Sequence, residues 1–335
     1  MNKTKKSITY ITAACKAAEN SLLGKDRIKR MTEAASEKEA LSVLKESAFG
    51  GESSGDADAL IRSEERRTLD FAREYAPDEA CLAFCLLPYD FYNAEAVVKS
   101  IYNGYPAEKY VGENGLFTVE ELVAAAKGES LKKGEVSKES GEDAREMPKE
   151  LINAIGQAQA ALENGGNGVV TGTIMKRAEY AAMLRLCKHG YLKEMLVAKL
   201  DAINVSVCLR AGNEEVAKSQ LISGGSLTSA QIAALCQKDE KAVLAAFSGS
   251  PMKEVVLKSL KASTEGKPLV ELEKEINGAA AKRMYDGRYT EQSGTMPYTA
   301  YVLRRLYEIA CVRTILSGKT NGLDGERIAE RLKTL

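Results

Sequence analysis

The stretch from Met296 to Leu335 constrains the fold more than any other. Tyr298, Val302, Leu306, Ile309, Val312 and Leu316 recur at three- and four-residue spacing, which lays them along one stripe of an α-helix about twenty residues long. Arg304, Glu308 and Arg313 fall off that stripe. Thr295 suits the cap, Pro297 is tolerated in the first turn, and Gly318 offers the left-handed residue that stops a helix. After Leu323, Asp324 reads as the cap of a short second helix with Ile328 and Leu332 inward.

The rest of the chain agrees with this helical pattern. Ala, Leu, Glu and Lys dominate, Trp is absent and only 7 of the 335 residues are Pro, a composition that favours an all-α protein. An apolar content of 44% is enough to bury a sizeable core. From Ser7 to Ala48 a long helix and two short ones are expected. Tyr10, Ala14, Ala17, Leu22 and Leu23 form the stripe of the first, Gly24 ends it, and Ser36 with Glu39 has capping-box spacing. Asp56 to Ala76 reads as a helix with Leu60, Ile61, Leu69 and Phe71 buried and Arg62, Arg66 and Arg67 outside. Pro88 either kinks the following helix or starts the next one, which ends at Asn103-Gly104. Further helices are expected from Pro148 to Leu162, from Ile174 to Lys188, from Tyr191 to Arg210 and from Leu269 to Arg288.

Between Tyr105 and Pro148 carboxylates outnumber basic side chains, and only Leu116 to Ala126 has a helix that packs. Leu131 to Glu146 has too few apolar residues to offset the entropy of ordering, so it reads as a mobile crossover.

Charge and cysteine content exclude several classes. Lys+Arg and Asp+Glu are balanced at 47 each, so no global field recruits nucleic acid or an acidic membrane. Seven cysteines without a repeating spacing indicate reduced thiols in a cytosolic compartment, with Cys81 and Cys85 as small core residues on one helix face. No apolar run approaches the ~20 residues that cross a bilayer, and the opening MNKTKKSITY lacks a signal-peptide core. Contact with a membrane is expected only through another protein.

Catalytic constellations are missing. His189 is the one histidine, so His-rich zinc sites and paired Glu-x-x-His ligands cannot be built; it reads as a cation near a helix C-terminus. Ser317-Gly318-Lys319-Thr320 resembles the end of a phosphate-binding loop, but Arg313 stands where the leading glycine belongs and a helix precedes it. Glu271, Glu273 and Glu275 read as a solvated helix face. The arginine clusters lack the aromatic interleaving of single-strand binders. No cofactor or metal is expected, and an enzyme ranks below a binding or structural role.

Three segments share a layout: PYDFYNAEAVVKSIYNG from Pro88, AKLDAINVSVCLRAG from Ala198 and LRRLYEIACVRTILSG from Leu303. Each pairs two polar residues at i and i+3 (Asp90/Asn93, Asp201/Asn204, Arg305/Glu308), followed by apolar residues and a Gly. Their near-equal separation suggests three diverged copies of one helical unit; any amphipathic helix ending in Gly would align in the same way.

The C-terminal RRLYEIACVRTILSGK with its Gly-Leu step and RIAERL, the N-terminal ITYITAACKAAENSLLGKDRIKRMTEAASEKEALSVLKES and the central YDFYNAEAVVKSIYNG together resemble the C-type subunit of the V/A-type rotary ATPases, equivalent to the d-type subunit of the eukaryotic vacuolar enzyme. The resemblance implies one all-α domain over residues 1–335, with pseudo-repeats at about 1–106, 107–213 (107–148 being the acidic crossover) and 214–335, set round a pseudo-threefold axis as a funnel. It also implies a non-catalytic component of the central stalk on the cytoplasmic side of the membrane. That component is a socket joining the shaft subunits of D and F type to the proteolipid ring, for ion transport or ATP synthesis. The other reading is a helical adaptor unrelated to rotary ATPases.

Basic residues exceed acidic ones in the C-terminal stretch, and Arg304, Arg313 and Lys319 are the expected partner contacts. The alternative for Arg304 is a pair with Glu308 one turn on, worth a few tenths of a kcal/mol.

Overall fold

A computed structural model describes residues 6–53, 55–112, 114–129, 146–187, 190–290 and 295–332. All regular structure among them is helical. They form two compact units: Met1–Leu82, Val197–Leu221 and Gly225–Leu335 make the first, and Ala83–Leu196 with Ile222–Gly224 the second. The segment 130–145, with nearly all of the expected crossover, and His189 lie outside the described residues.

The chain opens with α1 (Ile8–Glu19), α2 (Gly24–Glu33) and α3 (Glu37–Lys45). The stripe of α1 is rotated from the expected one: Ile11 and Cys15 are buried, whereas Tyr10 is 53% exposed. Tyr10 stacks on Tyr75 at 6.0 Å between ring centres, beside the ammonium of Lys6. Gly24 has φ +73 and opens α2 instead of closing α1. Ser36 caps α3 by accepting from the Glu39 amide at 3.2 Å, as its spacing predicts.

Asp56 caps α4 (Ala57–Tyr75). The next helix, α5 (Glu79–Asn103), runs through Pro88 without a break and stops before Gly104 at φ +73. Thr118 and Glu121 form a reciprocal capping box on α6 (Val119–Ala126), satisfying two otherwise orphaned amides. Pro148 precedes α7 (Lys149–Glu163), and α8 spans Gly168–Leu186. The start of α8 is earlier than Ile174 because Asn167 accepts from the amides of Val169 and Val170 at 3.0 and 3.3 Å.

The long α9 (Gly190–Arg210) leads to four short helices, α10 (Glu214–Gln220), α11 (Ser229–Gln237), α12 (Glu240–Ala246) and α13 (Lys253–Thr264). Residues 269–288 do not form the single helix expected. They divide into α14 (Val270–Lys274), a π-helical turn at Glu275–Ala279 and α15 (Ala280–Gly287). The turn widens next to Gly278, the residue with the weakest helical preference in the segment. Two helices close the chain, α16 (Thr295–Thr320) and α17 (Gly325–Leu332).

Gly318 is not the stop of α16. The helix ends in a Schellman arrangement in which Leu323 N–H donates to Gly318 O at 2.9 Å and Gly322 N–H to Lys319 O at 3.0 Å. The left-handed residue is Gly322, at φ +72. Gly318 lies one turn earlier and permits close packing: a Cβ there would stand 2.8 Å from Ile328 of α17. Tyr298, Val302, Ile309, Val312 and Leu316 are buried as their spacing predicts, while Leu306 is only half-buried. In the first unit α16 packs with α2, α3, α4 and α17 around Met31, Leu44, Leu60, Ile309, Val312 and Ile328. Each such side chain contributes about 1.5–3 kcal/mol. Another cluster of the same unit surrounds Leu235, Phe247, Val256 and Leu272.

Candidate partner-contact site and the polar clasps beneath it

Arg305 and Glu308, three residues apart on α16, are 2% exposed and fully buried respectively. This corrects the placement of Glu308 off the stripe. The Glu308 carboxylate accepts from Leu23 N–H at 3.0 Å and Gly24 N–H at 3.1 Å, two amides at the start of α2 that have no partner within their own helix. Arg305 Nη1 donates to Ser21 O at 3.2 Å and Nη2 donates to Ser21 Oγ. Its Nε lies 3.1 Å from Glu64 Oε1 but points off the carboxylate, so that attraction is Coulombic. Glu64, on α4, accepts from Gly50 N–H at 2.8 Å and from Arg67 at 2.9 Å. These groups tie α16 and α4 to the turns before α2 and α4. Buried charges are tolerated when each is paired and hydrogen-bonded.

The other two polar pairs do the same work on their own loops. Asp90 accepts from Leu116 N–H at 2.8 Å and Phe117 N–H at 3.0 Å, and Asn93 exchanges two hydrogen bonds with Gly112 at 2.9 and 3.2 Å. A Cβ on Gly115 would run into the Asp90 carboxylate. Asp201 accepts from Ser226 N–H at 2.7 Å and Ser226 Oγ at 2.5 Å, while Gly225 lies against Asp201 and Asn204 with no room for a Cβ. Leu116 and Ser226 each stand two residues before a capping threonine, Thr118 of α6 and Thr228 of α11. In all three cases a polar pair on a long helix grips the backbone that leads into a short one.

The expected contact residues are not one patch. Arg304 and Arg313 are nine residues apart, two and a half helical turns, so they leave opposite faces of α16. Arg304 is 24% exposed, with Nε 3.6 Å from Glu308 Oε1 and its guanidinium 5.2 Å from the ring centre of Tyr307 and 5.8 Å from that of Tyr285. Burial pushes the Tyr307 hydroxyl up to about 12. Arg313 is 54% exposed and donates to Glu65 at 2.9 Å. Lys319 is half-buried. Arg304 thus pairs with Glu308, the alternative to a partner contact, and part of its surface stays open.

Glu271, Glu273 and Glu275 each hold a basic partner, Lys274, Arg210 and Arg283, at 2.8, 3.2 and 3.1 Å. No group of three or more His, Cys, Asp or Glu arranged for a metal occurs among the described residues.

The family model described as ATP synthase (C/AC39) subunit matches residues 11–331. The chain belongs to this family. No curated protein matches it. As a member of the C/AC39 family it is an accessory component of a V/A-type rotary ATPase, and the reading as an unrelated adaptor is set aside. No helix among the described residues is long and apolar enough to cross a membrane.

Glu64 is the clasp residue that periodicity alone does not single out. It stands four residues after Leu60 and three after Ile61, on the buried face of α4, and a carboxylate on an apolar stripe signals a buried partner.

Proposed function

We propose that this chain is the non-catalytic rotor component of its complex, a socket that couples the shaft subunits of D and F type to the proteolipid ring on the cytoplasmic side of the membrane. The family match across residues 11–331 carries this reading. Torque transmission requires stiffness and broad adhesion, which packed helices with clasped ends supply.

The three clasps support the reading of three related helical units. The Asp90 pair grips the entrance to α6, the Asp201 pair grips the entrance to α11, and the Arg305 pair grips the entrance to α2. In repeat order each copy therefore holds the next, and the last holds the first. Arg313, with Arg304 and Lys319 flanking it on other faces of α16, is proposed to meet the shaft or the ring and to set register more than affinity.

Recovery of the intact membrane complex on a tagged copy of the chain tests the reading. Mass spectrometry should find the shaft subunits and the proteolipid together; a chain recovered without either refutes the socket.

A further inference from the structure

Residues of α1, the end of α15 and α16, distant in sequence, meet in the first unit as a row of alternating cations and aromatic rings. The ammonium of Lys16, on α1, stands 5.7 Å from the ring centre of Tyr289. The Arg288 guanidinium lies 4.7 Å from that ring and 3.8 Å from the ring of Tyr285. Arg304, on α16, lies 5.8 Å from Tyr285 and 5.2 Å from Tyr307. The interleaving that the arginine clusters lack along the sequence is thus supplied by the fold. The middle of the row is closed. Glu19 of α1 holds Arg288 in a two-pronged pair, Oε1 to Nε at 2.5 Å and Oε2 to Nη2 at 2.9 Å, and Arg288 Nη1 donates to the Tyr285 carbonyl. The pair is 17% and 13% exposed, so it pins the rings between the helices. The ends are open. Lys16 is exposed and has no hydrogen bond or ion pair among the described residues. Arg304 has one acid beside it, Glu308 at 3.6 Å, whose two oxygens already accept from the amides of Leu23 and Gly24.

We infer that this row is the docking surface for an acidic segment of a partner subunit, which places one carboxylate on Lys16, another on Arg304 and its intervening side chains along Tyr289 and Tyr285. Charge selects the occupant. In a chain of zero net charge, the row leaves Lys16 uncompensated and Arg304 only partly compensated, since Glu19 is spent on Arg288 and Glu308 is shared with Arg305. Spacing selects an extended segment. Two rings and a spent guanidinium separate the open cations, so a single small anion reaches one of them and a chain with several carboxylates reaches both. Single-stranded nucleic acid fits less well, because its bases need open ring faces, and here Tyr285 and Tyr289 each carry two cations. The cation–ring stacking holds the donors in place before the partner arrives. The inference requires the chain to work within its complex, as the family match gives it, and does not depend on the socket.

Fluorescence anisotropy of a labelled polyglutamate peptide on the full-length chain measures the affinity, and carbodiimide coupling in the complex recovered on a tagged copy locates the contact, because it joins an amine only to a carboxylate it touches. Lys16→Gln with Arg304→Gln should weaken peptide binding by about tenfold or more. Arg313→Gln, which removes a cation on the opposite face that is paired with Glu65, should weaken it by less than about twofold. In the complex, Lys16 should couple to an Asp or Glu of another subunit. Equal losses in the double variant and Arg313→Gln overturn the proposal, and so does tighter binding of an oligothymidylate of the same charge. Lys16 that couples only within its own chain, in a complex that contains the shaft or ring subunits, overturns it while leaving the socket intact. Recovery of the chain without those subunits refutes the socket, and the peptide measurement then decides the docking surface by itself.

Discussion

Replacement of Glu308 by Gln tests whether the C-terminal clasp closes the first unit. The substitution keeps the shape and removes the charge. In the native protein four donors converge on this fully buried carboxylate: the amides of Leu23 and Gly24 at 3.0 and 3.1 Å, Arg305 at 3.4 Å and Arg304 at 3.6 Å. Gln offers one oxygen to two amides that approach different oxygens, so an NH₂ group must face an N–H. Arg305 keeps Glu64, but the buried cluster gains an uncompensated positive charge. Removing one partner of a buried ion pair costs about 3–5 kcal/mol. At roughly 2 °C per kcal/mol for a large domain, the melting temperature should fall by about 6–10 °C.

Arg304→Gln removes the longest and most exposed of the four contacts and should cost under about 1 kcal/mol. The two variants therefore separate a buried clasp from a surface pair. Thermal unfolding gives the magnitude, and native-state amide exchange at Leu23 and Gly24 gives the location, since both amides should lose protection in Glu308→Gln alone. Equal melting temperatures for Glu308→Gln and the wild type, with those amides still protected, would refute the reasoning.

Gly225→Ala must displace the Asp201 carboxylate and should destabilise by about 1–3 kcal/mol, as overpacking does, whereas Gly190→Ala, with open space around its Cβ, should be neutral or stabilising in a urea titration. Arg313→Glu should leave stability within about 1 kcal/mol and weaken assembly with the shaft or ring in a salt-dependent way; unchanged assembly at low salt removes Arg313 from the contact. At neutral pH a thiol reagent such as DTNB should titrate Cys236 alone in the native chain, because the other six cysteines are buried and burial raises Cys15 to about 12 and Cys311 to about 11. Arg185, at 2.6 and 2.9 Å, holds Glu150 below the usual carboxylate range. The stability gained is therefore present above the unfolded carboxylate value and lost as pH falls through the lower folded one, so Arg185→Ala should flatten the acid limb of the stability profile by less than about 1 kcal/mol.

The helical class is legible in the sequence because its signals are local. Ser36, Asp56 and Asp324 cap the helices that their positions announce, and most of the α16 stripe is buried as spaced. Sequence and structure part where tertiary contacts decide. Tyr10 looks like a core residue in a one-dimensional pattern, yet it has Tyr75 to stack on and so lies outside. Gly318 and Gly322 are both plausible stops, and what separates them is Ile328, whose approach requires the missing Cβ at Gly318. Arg304, Arg313 and Lys319 share only their position outside the stripe. Nine residues of helix put the two arginines on opposite faces, so charge counting along a segment does not define a patch.

Arg305 and Glu308 show why polar residues on an apolar helix are informative about assembly. A carboxylate that only paired with a neighbouring turn would be worth tenths of a kcal/mol, too little to keep it fully buried. It is retained there because an amide pair nearly three hundred residues away in sequence needs an acceptor that no local residue supplies. The Asp90 and Asp201 clasps meet the same need over 26 and 25 residues. Loop-closure entropy grows only slowly with the length closed, so the long-range clasp costs little more to form than the short ones. One device therefore serves both two contacts close in sequence and one that joins the two ends of the chain. Of the three clasps, the Glu308 one alone joins the two ends of the chain, which makes it the one whose loss should free the N-terminal turn while α6 and α11 stay in place.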